Sequence, residues 1–285
     1  MSVRLFFPMW EYRKIKHKSA VARQRFLVMS LRLMLFVTLS LFFSGCQYDK
    51  EKGPKTIPLT PENAPPVYEL LKEAGLCQVD VFEKWVVLSS ENHSKALPKS
   101  TEFTDANCRM TVILLTGDRI QTKGLEEDYK GDYLMFDLEA IDHNDAYGAL
   151  ENKKKLLTTL FGEMPIPDAG FSHALADQWN KFGIQVNSKK YSIISVLFKV
   201  YGSNEAFVGH TGIFIDCRDK PSLNGNYLFL EKIAFGEPFQ ITWLENENEL
   251  IDLLSKRSDY IGEKGDPLPV VYKNKEKIGI LKNTE

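Results

Sequence analysis

From Tyr191 onward the apolar residues of this chain abandon helical spacing and gather into short runs, YSIISVLFKVY, FVGHTGIFID, YLFLEKIAF and FQITWL, rich in β-branched and aromatic residues. Turn material such as Asn224-Gly225-Asn226 separates them. Runs of this length joined by short turns specify an antiparallel sheet. LPVVYKN and KIGIL add two edge strands around a turn at Asn274–Lys275, and ENELIDLLSKRSDYI between them and the sheet reads as a late helix. Upstream the spacing is helical over Val67–Ala74, stopped by Gly75, and over Val81–Ser89, where Phe82, Trp85 and Val86 share a face. A third helix has Thr104 or Asp105 as its cap, Met110, Ile113 and Leu114 as its stripe, and Gly117 at its end. Tyr147–Phe161 and Ala174–Phe182 repeat the pattern. The expected fold class is α+β, with N-terminal helices packed on one face of an antiparallel β-sheet.

With 44% hydrophobic and 26% charged residues over 285 positions, the chain has material for one sizeable core. A formal net charge of -2, with lysines scattered among acids after the first 32 residues, leaves no electrostatic footprint for nucleic acid. Before that core, a basic flank and an apolar run from Leu33 to Phe43 lead to small residues just ahead of Cys46. The run is shorter than the roughly 20 residues a bilayer span needs, so residues 1–45 read as a cleaved signal peptide, with Met29 a plausible true start. Phe43-Ser44-Gly45-Cys46 resembles the bacterial lipobox, although Phe43 replaces the usual leucine; Cys46 is then the lipidated first mature residue and ties the chain to a membrane. The expected location is the bacterial cell envelope, facing periplasm or exterior. Residues 46–66 read as lipidated cysteine and flexible tether, and 67–285 as a single α+β domain. Three cysteines remain in a compartment where disulfides persist, so at least one lacks an intramolecular partner; Cys77 with Cys217 is one pairing, which leaves Cys108.

A thiol becomes a useful nucleophile when ionised, and the unpaired N–H groups of a helix N-terminus favour the thiolate. Cys108 lies in such a first turn. A neighbouring imidazole completes the arrangement by stabilising the thiolate and carrying protons. His210, in GHTGIFID, opens a strand after a glycine that permits close backbone approach, whereas His93, His143 and His173 lie at helix ends or in polar turns. If the strand returns as a hairpin in YLFLEKIAF, a residue near Ile233 faces His210 and Glu231 reaches its ring from the same face. Glu231 is then the third member that orients the imidazole, with Gln240 on the next strand as its polar substitute. Asn107, Arg109 and Gln240 are the residues available for oxyanion or substrate binding, with Asn107 alternatively shaping the turn and Arg109 alternatively holding a carboxylate in the core. Asp105 works against the proposal unless its carboxylate is turned away from the thiol as a cap.

The blocks NCRMT, LMFDLEAID, GHTGIFID and FLEKIAFGEPFQ resemble an uncharacterised bacterial lipoprotein family, domain of unknown function 4300, over roughly Tyr68 to Asn274. That resemblance implies a lipoprotein and no measured activity. More distantly, the helix-initial cysteine followed by His-x-Gly-Ile on a strand is similar to NlpC-type, papain-like cysteine peptidases and amidases. The resemblance implies a papain-like arrangement with Cys108 as nucleophile, His210 as base and a polar third residue. Those enzymes more often carry His, Asn or Gln there than a glutamate. The function expected is an envelope-anchored thiol hydrolase or acyltransferase acting on an amide or ester, with cell-wall peptide the target by analogy and no cofactor.

Each residue also has a plainer reading. Cys108 on an amphipathic helix is equally a small core hydrophobe, His210 a satisfied strand-end histidine, and Glu231 beside Lys232 a solvated sheet face. The chain is then a lipoprotein that binds a ligand or an envelope partner without catalysis. The acidic stretch FDLEAIDHNDAYG fails the calcium-loop spacing, because Ala146 stands at the third ligand place, and reads as a capping loop; no metal is expected.

Overall fold

The computed structural model describes residues 53–94, 105–260 and 266–282. The stretch expected to be a signal peptide, together with Met29, Cys46 and Thr104, lies outside the described residues. The helices are α1 (Pro65–Glu73), α2 (Val79–Ser94), α3 (Cys108–Thr116), α4 (Met135–His143), α5 (Lys154–Phe161), α6 (Ala174–Lys181) and α7 (Glu247–Ser255). The long strands are β5 (Tyr191–Lys199), β6 (Glu205–Asp216), β7 (Tyr227–Lys232) and β8 (Phe239–Leu244), with β9 (Val270–Lys273) and β10 (Glu276–Ile280) after α7. Together with β1 (Lys55–Pro58) they form one antiparallel sheet in the order β1-β8-β7-β6-β5-β9-β10, and the short β3 (Met164–Pro165) pairs with β6. A separate ribbon joins β2 (Ile120–Gln121) to β4 (Gln185–Val186). The protein is α+β.

Alternation along the strands divides the core in two. Ile193, Leu197, Ile213, Ile215, Leu228 and Leu230 face a large layer containing residues of α1, α2, α3, α5 and α6. Ile194, Val196, Phe214 and Phe229 face the other way, against Leu250, Ile251 and Leu254 of α7 and against Tyr260. Helices therefore cover both faces, not one as expected. The late amphipathic helix has an apolar stripe of its own, and the second face of a sheet whose strands are apolar on both sides is where that stripe is buried.

Three local expectations change for physical reasons. Lys55–Pro58, expected to lie in the tether, instead forms β1 at the edge of the sheet, with Ile57 opposite Ile241 and the Thr56 and Thr242 hydroxyls 2.9 Å apart. Tyr147 to Lys153 is a 3-10 segment, not the start of an α-helix. Trp85 Nε1 donates to the Ala146 carbonyl at 2.8 Å, so that acceptor is diverted from the helical ladder. Cys77 and Cys217 do not bridge; Cys77, Cys108 and Cys217 are all free thiols, and burial followed by the Asp216 and Asp219 carboxylates pushes Cys217 up to about 11. The acidic stretch does cap a helical segment, with the Asn144 side chain accepting from Ala146 N–H.

Gly212 sits under the ring of Phe229: a Cβ there would meet Phe229 carbons at 2.5 and 2.6 Å and the Leu230 carbonyl at 2.8 Å. Gly212→Ala is expected to destabilise the protein by about 1–3 kcal/mol, read as a lower urea midpoint, because the backbone neighbour cannot give way. An unchanged midpoint would show that the strands shift freely.

Candidate functional site

β6 is longer than its neighbours on one side, and this creates the site. β5 pairs with it along its length, but on the opposite side β3 covers only Glu205 and Ala206, and β7 begins at Gly212. Residues 207–211 have no strand partner there among the described residues. Exposed ladder groups of this kind need other partners, and α3, which packs against β6 and β7, supplies them. Arg109 Nη1 donates to the Val208 carbonyl at 3.2 Å, and the Thr211 N–H is among the groups that favour the Cys108 thiolate.

A bulge within the same gap aims the histidine. Val196 pairs with His210 but Leu197 pairs with Val208, so Gly209 is an extra residue. It turns Val208 into the helical core and His210 to the sheet face shared with Val196 and Phe214. The Phe198 ring lies across Gly209, where a Cβ would meet it at 2.6 Å, so only glycine fits this position without a shift. On β7, Glu231 stands opposite Gly212, diagonal to His210. Its Oε2 meets His210 Nε2 at 2.6 Å.

The helix start is built by side chains. Asn107, with φ -127° and ψ -173°, is the N-cap of α3, and its oxygen accepts from Met110 N–H at 3.0 Å. Asp105, one of the two caps expected from sequence, has another task. Its carboxylate accepts from the Ala106 and Gly236 N–H groups and pairs at 3.0 Å with the fully buried Lys232, which also donates to Ser89 Oγ at 3.1 Å and to the Glu237 carbonyl. Asn107 Nδ2 donates to Asp137 Oδ1 at 2.7 Å, and Arg109 grips the same carboxylate through Nε at 2.9 Å and Nη2 at 2.7 Å. Asn107 and Arg109 therefore have their polar atoms engaged within the protein, in the alternative role open to each: Asn107 shapes the helix start and Arg109 holds a core carboxylate. Gln240 Nε2 donates to Glu231 Oε1 at 2.8 Å, so it steadies that carboxylate from the next strand.

Cys108, His210 and Glu231 thus come together, with 5%, 1% and 1% exposure. Nε2 is taken by Glu231, while His210 Nδ1 is buried and forms no well-aligned hydrogen bond. The sulfur and the ring affect each other by proximity and charge, short of a well-formed hydrogen bond. Burial pushes the thiol up, but His210, Arg109 and the Thr211 N–H outweigh it, and Cys108 lies below its ordinary value. Burial pushes the imidazole down, but Cys108 and Glu231 outweigh that, and His210 lies above its own. The two shifts are reciprocal: each group favours the ionised form of the other. Burial likewise opposes ionisation of Glu231, yet His210 and Arg257 carry it down to about 2.

A carboxylate whose folded pKa lies below its ordinary 4.5 stabilises the fold above that value and loses this contribution as pH falls towards about 2. Between those limits the urea midpoint of the wild type is expected to drop more steeply than that of Glu231→Gln. Parallel drops would remove Glu231 as the source of acid sensitivity.

Sequence reasoning missed Arg257 and Asp137. Arg257 ion-pairs with Glu231 Oε1 through Nη2 and lies 3.3 Å from His210 Nε2 through Nη1. Nothing local marks it, since a lone arginine after a helix is ordinary. Asp137 lay in the acidic stretch weighed for metal; its neutral neighbours Phe136 and Leu138 were the available hint that it is an inward-facing carboxylate.

Fold and site together define an α+β protein with a cysteine at a helix N-terminus facing a carboxylate-bound histidine on a bulged strand. The family model described as domain of unknown function (DUF4300) matches residues 86–278, and the chain belongs to that family. No curated protein and no solved structure matches it. The matched span contains Cys108, His210, Glu231 and Arg257. Among the described residues no helix is long and apolar enough to cross a membrane.

Proposed function

We propose that this chain is an envelope-facing lipoprotein, anchored through Cys46, whose domain is a papain-like thiol hydrolase or acyltransferase. The observation that supports it best is the arrangement of the site: a thiol at the first position of a helix, a buried imidazole with a carboxylate 2.6 Å from Nε2 and no hydrogen-bond partner on Nδ1 among the described residues, and shifts that lower the thiol and raise the ring. In the reaction the Cys108 sulfur bonds to the carbonyl carbon of an amide or ester, and the carbonyl electrons move to its oxygen. As that intermediate collapses, the bond to the leaving nitrogen or oxygen breaks and the imidazolium gives the leaving group its proton. His210 then takes a proton from water or an amine as it attacks the thioester, releasing the acyl product and restoring the thiol. The Cys108 N–H is the simplest choice of oxyanion donor. Cell-wall peptide is the target class by analogy.

A second reading, a lipoprotein that binds a ligand or partner on the same scaffold, draws on the 5% exposure of Cys108. Iodoacetamide modification across pH, located by peptide mapping, separates the two. The enzyme reading expects Cys108 to react with an apparent pKa well below the reference of about 8.5. A Cys108 inert until the protein is denatured would favour binding alone.

A further inference from the structure

The site contains a fourth ionised group that the nucleophile–base–carboxylate scheme does not require. Arg257 follows α7 and crosses to the sheet face that carries His210; its Nη2 pairs with Glu231 Oε1, its Nη1 lies 3.3 Å from His210 Nε2, and the same Nη1 donates to Tyr260 Oη at 2.9 Å. The Tyr260 ring in turn stands 5.6 Å from the imidazole and 5.3 Å from the guanidinium carbon. We propose that Arg257 is a positioning residue for the Cys108–His210 pair, holding Glu231 against Nε2 and, as a like charge beside the ring, limiting how tightly the imidazolium keeps its proton. This rests on the hydrolase reading and assigns a device that regulates it.

The charges alternate in space: thiolate, imidazolium, carboxylate, guanidinium. Their sum is zero, whereas without Arg257 a nearly solvent-free site would carry one net negative charge, which is costly to bury. The consequence for chemistry concerns proton return. An imidazole paired with an unopposed buried carboxylate is a strong proton acceptor, but the imidazolium it becomes is a poor acid, and the leaving group needs an acid. Glu231 oxygens are divided between partners, Oε2 on His210 and Oε1 on Arg257 and Gln240, so the carboxylate orients the ring without holding its full charge against it. The ionisable groups facing the imidazole are Cys108 from α3, Glu231 from β7, and Arg257 and Tyr260 from the segment after α7; Arg109 and Lys232 act on the thiol from farther away.

The test is an NMR titration of the His210 ring carbons in the purified protein, with alkylation of Cys108 followed in parallel. Arg257→Met is expected to raise the His210 midpoint by about one pH unit or more, the scale of one contact charge, and Arg257→Lys to restore it. A folded Arg257→Met protein with an unmoved midpoint, or a shift that lysine does not reverse, overturns the proposal. If the single Met variant fails to fold, Glu231→Gln is compared with Glu231→Gln/Arg257→Met, where loss of the like charge alone should still raise the midpoint and no change overturns it. A wild-type Cys108 that is unreactive at every pH sinks the hydrolase reading instead, so the two failures are distinguishable.

Discussion

His210→Ala is expected to slow alkylation of Cys108 at pH 6 by about 10²-fold, because a thiol returned to the reference pKa of about 8.5 is less than about 1% ionised there. In the native site the ring is the first of the groups that oppose the cost of burying the thiolate, ahead of Arg109 and the Thr211 N–H. Once the ring is removed, burial dominates, and the thiol is expected to rise above the value of a free cysteine. The alanine also leaves Glu231 with Arg257 and Gln240, so the carboxylate remains paired and the fold should survive. The measurement is a pH series of second-order rate constants with circular dichroism as the control for folding. A folded variant with wild-type kinetics would show that α3 alone activates the sulfur and that His210 has no part in it.

Asp137→Ala is expected to cost about 3–5 kcal/mol of stability, read as a fall in the urea midpoint, because it strips a buried guanidinium of its counter-ion. Asp137 is fully buried and accepts three hydrogen bonds, two from Arg109 and one from Asn107. It thus secures both residues flanking Cys108, and the attachment of α4 to the start of α3 runs through it. Arg109→Met/Asp137→Leu should be less destabilised than the sum of the two single changes, since removing both charges leaves neither stranded. Simple additivity would show that the pair is held by its surroundings rather than by mutual attraction. Loss of Asp137 should also loosen the cap that Asn107 makes, so the alkylation profile of Cys108 is expected to broaden along with the stability loss.

The parts of this protein that could be read from the amino-acid order are those governed by neighbours in the chain. A period of 3.6 or 2 reports which face is apolar, and so α1, α3, α6, α7 and the strands from β5 to β10 were legible. The hairpin from β6 to β7 made Glu231 diagonal to His210 by register alone. Where a single distant contact competes with the local pattern, the reading failed: Trp85 on the Ala146 carbonyl, Lys232 and Gly236 on Asp105, and β8 on Lys55–Pro58. Packing decided the remainder. The unpaired stretch of β6 exists because β3 ends before β7 begins, the bulge at Gly209 depends on a register shift against β5, and Arg257 reaches Glu231 because α7 buries its stripe on the sheet's second face. Each joins residues far apart in sequence whose meeting depends on the packed positions of whole elements, and hydrophobic periodicity carries no information about that.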